Sequence, residues 1–216
     1  MRVGLFGGTL NPVHWGHLRA AEEIRERCDL GRVIFIPTNI SPHKESEEII
    51  SAPHRMNMLE LAIEGNPSFT ISEVELTRVG RSYSIETITH FISTYGKELT
   101  LFFILGIDAF LEIESWKNYQ EIFTLCNFIV MSRPGYEVRE LPQIIPAPLR
   151  REFRFHPDEK RFINSAHLSI DFKEITALDI SSHSIRMLIK EGHSIKYLVP
   201  EKVEEYIKIH KLYSYT

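Results

Sequence analysis

Short runs of consecutive hydrophobic residues alternate along this chain with longer segments in which hydrophobic residues recur every three or four positions. A short run bounded by glycine or proline is typical of a buried strand, and the longer spacing is typical of an amphipathic helix. The predicted strands cover 2–8, 32–37, 69–76, 99–106, 127–135 and 167–175. The predicted helices cover 17–28, 53–64, 85–95, 179–192 and 199–213. Strands that alternate with helices predict an α/β fold with a doubly wound, Rossmann-like parallel sheet.

One segment interrupts this alternation. Residues 134–165 are rich in proline and arginine, which predicts an irregular connection or a short helix there. We see no internal repeat and no low-complexity tract along the chain. We therefore expect a single domain, 1–216, in which a Rossmann-like core (1–178) precedes a small helical C-terminal lobe (179–216).

The composition narrows the class of protein. The chain has 216 residues and a net charge of −4, which argues against a broadly basic, nucleic-acid-binding surface. Any anionic ligand therefore needs a local cluster of donors. The longest hydrophobic run, 99–106, is too short to span a bilayer, and no signal peptide is visible. Cys28 and Cys126 are too few for a disulfide framework, so we expect a reducing, cytoplasmic location.

The junction between the first strand and the first helix reads GGTLNPVHWGHL and carries the clearest chemical signal. A helix N-terminus offers unpaired N–H groups to a phosphate. Gly7 and Gly8 leave the backbone open to such a ligand, and Thr9 adds a hydroxyl donor. His14 and His17 lie one helical turn apart, so both rings can face one group of oxygens. The stretch matches neither the GxGxxG dinucleotide pattern nor the P-loop pattern.

Other readings of the two histidines remain open. Either ring can be a structural polar group, and a histidine pair can also bind zinc. Zinc peptidases of the HExxH type need a four-residue spacing and a glutamate, whereas Trp15 and Gly16 intervene here. The ends of parallel strands meet at one edge of a sheet, which gives the pair more weight. The further polar residues that follow predicted strands are His43, Lys44, Asp108 and Arg133.

Two motifs identify a family resemblance. The stretch GGTLNPVHWGH resembles the GGxFxPxHxGH signature of the nucleotidyltransferase superfamily, and ISSHSIR (180–186) resembles its ISSTxIR signature. Three further stretches, FIPTNISPHK (35–44), FFILGIDAFLEIESWKNYQEI (102–122) and SIKYLVPEKVEEYIKIHKLY (194–213), narrow the match. Together they resemble the bacterial nicotinate-nucleotide adenylyltransferases over nearly the whole chain.

The resemblance implies an enzyme that joins the adenylyl group of ATP to nicotinate mononucleotide by direct in-line attack. Mg²⁺ would be carried mainly by the ATP phosphates and water, with no dedicated protein cage. The implied partners are these two substrates, without nucleic acid or membrane, and a homo-oligomer is compatible with the sequence. The implied catalytic residues are His14, His17, Lys44 and Arg186. The implied ATP-binding residues are Gly7, Gly8, Thr9, Gly106, Asp108, Arg133, Ser181, Ser182 and His183. The implied residues for nicotinate mononucleotide are Asn39, Tyr83, Ser84 and Trp116.

The chain departs from the family pattern at several positions. Leu10 and Asn11 replace the usual phenylalanine and frequent aspartate, Ser41 replaces a frequent proline, and His183 replaces the threonine of ISSTxIR. The substitution at His183 removes a hydroxyl expected to touch phosphate.

Two rival functions remain beside the first. One is transfer to another phosphate acceptor in the same superfamily, such as phosphopantetheine or glycerol phosphate. The other is a nucleotide-binding regulator without catalysis. Read alone, the single residues also have structural interpretations: Trp116 as core, Lys44 and Arg133 as surface charges, and Asp108 as a helix cap.

Overall fold

The computed structural model describes residues 1–39, 49–132 and 141–214. Within these ranges, eight strands form one sheet and eight α-helices accompany it. The strands are β1 (Arg2–Gly8), β2 (Arg32–Pro37), β3 (Phe69–Ile71), β4 (Thr100–Gly106), β5 (Asn127–Ser132), β6 (Phe153–His156), β7 (Arg161–Asn164) and β8 (Ser169–Glu174). The helices are α1 (Trp15–Arg27), α2 (Ala52–Ile63), α3 (Ser84–Tyr95), α4 (Ile107–Leu111), α5 (Tyr119–Ile122), α6 (Leu141–Ile144), α7 (Ser182–Lys190) and α8 (Glu201–Ile209).

The strand order is β3-β2-β1-β4-β5-β8-β7-β6, and strands β1 to β5 and β8 run parallel. β1 lies between β2 and β4, and Phe6 pairs with Phe35 on one side and with Ile104 on the other. The strand order reverses at this point, which is where open α/β sheets bind their ligands. The α/β, doubly wound prediction is confirmed, and the carboxyl ends of β1, β2 and β4 lie side by side.

The segment 134–165, for which an irregular connection or a short helix was predicted, contributes two strands to the sheet. Residues 153–164 form an antiparallel hairpin, β6 and β7, that joins β8 and makes the sheet mixed. Phe153 and Phe162 are buried in the core, so alternating aromatic residues support two short strands there. The prolines that suggested an irregular connection lie outside both strands. Short helical turns do precede the hairpin, at 141–144 and 149–151.

The strand predicted over 69–76 is also shorter than expected. β3 ends at Ile71, and the chain then turns, with the Thr77 N–H donating to the Glu73 carbonyl at 3.0 Å. The alternating pattern beyond Ile71 came from Val74 and Leu76, which are half-buried in this turn, while the polar Glu75 between them is buried as well. Hydrophobic residues in a turn therefore mimic the spacing of a strand.

Hydrophobic residues pack in two clusters, one on each face of the sheet. The first cluster involves α3, α4, α5 and the hairpin. The second involves α1 and α2 together with Ile185 of α7 and Val203 and Ile207 of α8. The division at 178/179 into core and C-terminal lobe stays a prediction. No helix in the described part of the chain is long and apolar enough to cross a membrane.

Candidate active site

The two histidines meet at the start of α1. His14 is the N-cap residue, in an extended conformation, and its carbonyl accepts the His17 N–H at 3.0 Å. The His14 N–H in turn donates to Nδ1 of His17 at 3.3 Å. The two rings stack with their centroids 3.7 Å apart and their planes 30° apart. Cap geometry, rather than a shared helical face, brings the two imidazoles together.

The His14 ring is buried, and its electrostatic state follows from that position. Burial lowers the pKa of His14 to about 4, so the imidazole is neutral at pH 7. Among the described residues, no group hydrogen-bonds to its Nδ1 atom. A Cβ on Gly16 would lie 3.0 Å from that atom, so the glycine leaves the ring its space. A buried polar nitrogen without a protein partner is well suited to a substrate oxygen.

A cavity of about 310 Å³ opens beside this junction, at the carboxyl ends of β1, β2 and β4. It collects seven residues that the sequence assigns to substrate binding: Gly7, Gly8, Thr9, Gly106, Tyr83, Ser84 and Trp116. The cavity therefore unites the residues implied for ATP with those implied for the mononucleotide. Sequence reasoning missed six polar residues in its wall: Thr38, Glu75, Ser82, Glu112, Ser115 and Lys117.

Gly7 and Gly106 face the open space of this cavity. A Cβ added to Gly7 would come no nearer than 4.0 Å to Phe103, and among the described residues nothing lies within 4 Å of one added to Gly106. Gly4, in the middle of β1, is different, because a Cβ there would lie 2.6 Å from Ile104. A side chain at position 4 would require its neighbours to shift, whereas at 7 and 106 the missing side chain leaves room for a ligand.

The opposite wall combines an aromatic ring with a helix N-terminus. The half-buried Trp116 meets Phe103 edge to face, with 6.0 Å between ring centroids. α3 begins at Ser84, one residue before the predicted start, and the first turn of a helix leaves its N–H groups without helical partners. Lys117 Nζ lies 4.4 Å from the centre of the Tyr83 ring and pairs with Glu86 at 2.7 Å. The wall thus offers a stacking surface, N–H donors and a nearby cation.

Asn39 contacts the loop that precedes α3, next to this wall. Its N–H donates to Ser82 Oγ at 3.2 Å, and its side-chain amide donates to the Arg78 carbonyl at 3.2 Å. The structure therefore places Asn39 against the loop that leads into α3, outside the lining of the cavity. Lys44 and Arg133, the two other predicted cationic residues, lie outside the described residues.

The ISSHSIR segment docks on the loop that follows β1. Arg186 Nη1 donates to the Asn11 carbonyl at 2.9 Å, and Ser182 Oγ donates to the Pro12 carbonyl at 2.8 Å. Tyr213 adds a contact that no sequence signal indicated, since its hydroxyl donates to Asn11 Oδ1 at 2.8 Å. These bonds hold the loop after β1 against α7 and against Tyr213, which follows α8.

Three further predicted residues, Ser181, His183 and Asp108, do not line the cavity. Ser181 caps α7 by accepting the Ser184 N–H at 3.0 Å. His183 is exposed in the first turn of α7, and Asp108 is exposed in the first turn of α4.

The described residues include no group of three or more histidine, cysteine, aspartate or glutamate side chains arranged to hold a metal ion.

A family model of cytidylyltransferase-like proteins matches residues 5–188. The chain is 46% identical to a probable nicotinate-nucleotide adenylyltransferase of Geotalea uraniireducens, with 99% of each protein covered. It is 44% identical to the protein of the same name from Geobacter sulfurreducens, covering 100% of this chain and 99% of the relative.

Solved structures share the fold at much lower identity. The Plasmodium falciparum nicotinic acid mononucleotide adenylyltransferase in complex with NaAD superposes with a TM-score of 0.73. The two sequences are 17% identical, and the match covers 98% of this chain and 97% of that one. The same parasite protein in complex with APC gives a TM-score of 0.72 at 16% identity, with 98% and 96% covered.

Proposed function

The chain belongs to the nicotinate-nucleotide adenylyltransferase family of cytidylyltransferase-like proteins, and from this premise we propose the reaction that it catalyses. It transfers the adenylyl group of ATP to nicotinate mononucleotide, giving nicotinate adenine dinucleotide and pyrophosphate, a step of NAD biosynthesis. The observation that carries this proposal is that one cavity is lined both by Gly7, Gly8 and Thr9, at the end of β1, and by the Trp116 ring.

The reaction needs no covalent enzyme intermediate. A 5′-phosphate oxygen of the mononucleotide attacks the α-phosphorus of ATP, and the bond from that phosphorus to the β-phosphate oxygen breaks. The electron pair leaves with pyrophosphate. The protein therefore has to position two phosphates and stabilise the charge that develops between them.

The residues around the β1 loop supply these functions. Gly7, Gly8 and Thr9 receive the phosphates, while the neutral His14 and its stacked partner His17 donate hydrogen bonds as charge shifts to the leaving group. Lys44 and Arg186 contribute positive charge, Arg186 from a position fixed against the Asn11 carbonyl.

The outer residues extend the ATP site in this proposal. Asp108 binds ribose hydroxyls, Arg133 and Gly106 contact the nucleotide, and Ser181, Ser182 and His183 meet the phosphate tail at α7. Mg²⁺ enters bound to the triphosphate and water, and neutralises phosphate charge there. We also propose a cytoplasmic location, because both substrates are soluble nucleotides.

Recognition of the nicotinate carboxylate follows from the wall of the cavity. The ring stacks on Trp116, and the carboxylate accepts hydrogen bonds from N–H groups at the start of α3, near Tyr83 and Ser84. The positive end of the helix dipole favours an anion by about 0.3–1 kcal/mol when exposed and up to ~2 kcal/mol when partly buried. An amide would turn its own NH₂ donors toward the same N–H groups, so the site favours the acid.

We expect kcat/KM for nicotinate mononucleotide to exceed that for nicotinamide mononucleotide by at least about tenfold, or ~1.4 kcal/mol of transition-state binding. Trp116→Ala serves as the comparison variant, because the indole stacks on either ring. We expect this variant to lower kcat/KM for both mononucleotides to a similar extent and to leave the ratio of the two values nearly unchanged. Side-by-side steady-state kinetics measure the ratio. Equal efficiencies, or a preference for the amide, would show that the α3 N-terminus does not read the carboxylate.

His183 takes the place of the family's threonine at the start of α7, where its imidazole can donate to a phosphate oxygen. We expect His183→Ala to raise KM for ATP by about threefold to tenfold, the loss expected for one such hydrogen bond. His183→Thr restores a donor and retains most of the activity. An unchanged KM in the alanine variant would mean that His183 is only a surface residue of α7.

One assay tests the proposed function directly. Purified protein is incubated with ATP, Mg²⁺ and one phosphate acceptor at a time, and pyrophosphate release is measured. The acceptors are nicotinate mononucleotide, nicotinamide mononucleotide, phosphopantetheine and glycerol phosphate. Release with nicotinate mononucleotide above all others supports the proposal. Release with another acceptor alone, or ATP binding without turnover, would contradict it.

A further inference from the structure

The loop between β1 and α1 is hydrogen-bonded to the C-terminal part of the chain. Arg186 of α7 donates to the Asn11 carbonyl at 2.9 Å, and the Trp15 N–H donates to the Leu198 carbonyl at 3.1 Å. Tyr213, which follows α8, donates its hydroxyl to Asn11 Oδ1 at 2.8 Å. Three separate segments of the C-terminal part therefore hold the stretch that leads into α1.

Asn11 is the residue at which two of these contacts meet. It is 3% exposed, and its side-chain oxygen and its main-chain carbonyl are bonded to different segments. An amide oxygen only accepts hydrogen bonds, so the Tyr213 hydroxyl is the donor. The hydroxyl and the Arg186 guanidinium thus act on one residue, which lies three positions before His14.

We propose that Tyr213 is a positioning residue for adenylyl transfer, which holds Asn11 so that the Asn11 carbonyl orients the Arg186 guanidinium. The inference rests on the proposed function, in which Arg186 supplies positive charge to the reacting phosphates. Tyr213 does not line the cavity, so its hydroxyl acts through Asn11 rather than on a substrate.

The shape of the arginine side chain makes this orientation important. A guanidinium carries five N–H donors in one rigid plane, so a bond at one of them sets the direction of the others. Two N–H groups bind phosphate oxygens together only when that plane faces them. A small displacement of such a group therefore costs much of the transition-state stabilisation that it provides.

Loss of the Tyr213 hydroxyl would act on Asn11 first. A buried oxygen that loses a donor costs free energy, so the amide turns toward another donor and the loop shifts with it. The shift reaches Arg186 and His14, which serve ATP in the proposed reaction. The wall at Trp116 and the start of α3 belong to other elements and keep their positions. We therefore expect the use of ATP to suffer, and the binding of nicotinate mononucleotide to be preserved.

Tyr213→Phe is the first test, because phenylalanine keeps the ring and removes only the hydroxyl. We expect kcat/KM for ATP to fall about tenfold, while KM for nicotinate mononucleotide stays within about twofold of wild type.

Tyr206→Phe is the matched control in the same part of the chain. The Tyr206 hydroxyl lies 3.0 Å from His54 Nδ1 and accepts from Asn57 Nδ2 at 2.8 Å, so its loss removes contacts of α8 with α2. We expect Tm to fall by a few degrees in both tyrosine variants. The kinetic constants of Tyr206→Phe stay within about twofold of wild type, because its hydroxyl does not contact the loop after β1.

Exchanges at Asn11 test the other end of the bond. Asn11→Leu keeps the size of the side chain and removes the acceptor, so we expect kcat/KM for ATP to fall at least as far as in Tyr213→Phe. Asn11→Asp keeps an acceptor and should be at least about threefold more efficient than Asn11→Leu. The double variant Tyr213→Phe/Asn11→Leu is no slower than the slower single variant, because both changes break one bond.

Three results would overturn the inference while the wild-type protein is active. They are wild-type kinetics in Tyr213→Phe, losses that add in the double variant, and an equal kinetic loss in Tyr206→Phe, which would reveal a general loosening of the C-terminal segments. A wild-type protein that releases no pyrophosphate with nicotinate mononucleotide would instead overturn the proposed function, and the role of Tyr213 with it.

Discussion

Replacing either His14 or His17 with alanine is expected to lower kcat by about 10²–10³, the loss typical for one donor that stabilises transition-state charge. The two rings stack 3.7 Å apart, so in the proposed reaction both face the same group of phosphate oxygens. Each contributes a hydrogen bond that strengthens as charge moves to the leaving pyrophosphate. The measurement is steady-state kcat at saturating ATP and nicotinate mononucleotide.

A control on the same helical turn separates this effect from a general disturbance of α1. Trp15 lies between the two histidines, and its side chain is 43% exposed. Trp15→Ala is expected to keep kcat within about twofold of wild type, because its side chain carries no transition-state interaction. Near-normal turnover in both histidine variants would remove the catalytic assignment of the pair.

The sequence predicted the parts of this site that depend on local patterns. The runs of β1, β2 and β4, and the glycines that end β1 and β4, indicated which strand ends meet, because parallel strands place their carboxyl ends on one edge. The start of α3 at Ser84 was equally visible from its helical spacing. The His14–His17 pair was found from its position after a glycine-bearing strand, although its cap geometry was not foreseen.

The parts that escaped prediction depend on contacts between distant segments. The hairpin at 153–164 was hidden by prolines around it, and its strands exist because phenylalanines on them pack into the core of the sheet. Glu75 sits in a stretch that alternates like a strand, but the turn after β3 buries its carboxylate, which accepts the Thr87 hydroxyl at 2.8 Å. Arg55 and Tyr213 are bonded to residues 46 and 202 positions away, which no local pattern reveals.

Lowering the pH from 7 to 5 is expected to destabilise the protein through His14. Burial lowers the pKa of His14 to about 4 from an ordinary value of 6.5. Between these values the unfolded chain binds a proton that the native protein does not, so stability falls as the pH falls. From the two pKa values, the loss at pH 5 is about 2 kcal/mol and continues to grow until about pH 4.

The measurement is the free energy of unfolding in urea at pH 7 and pH 5, for wild type and for variants. Burial raises the pKa of Glu75, and a raised carboxyl pKa changes stability with pH in the opposite direction. The test is therefore the change in the free energy of unfolding between pH 7 and pH 5, compared between wild type and each variant. In His14→Gln this change should be about 2 kcal/mol smaller than in wild type, because glutamine does not titrate. His90→Gln, an exposed histidine of α3, should behave as wild type. An equal pH dependence in His14→Gln and wild type would show that His14 is not held neutral by burial, and its role as a neutral donor at the phosphate would fall with it.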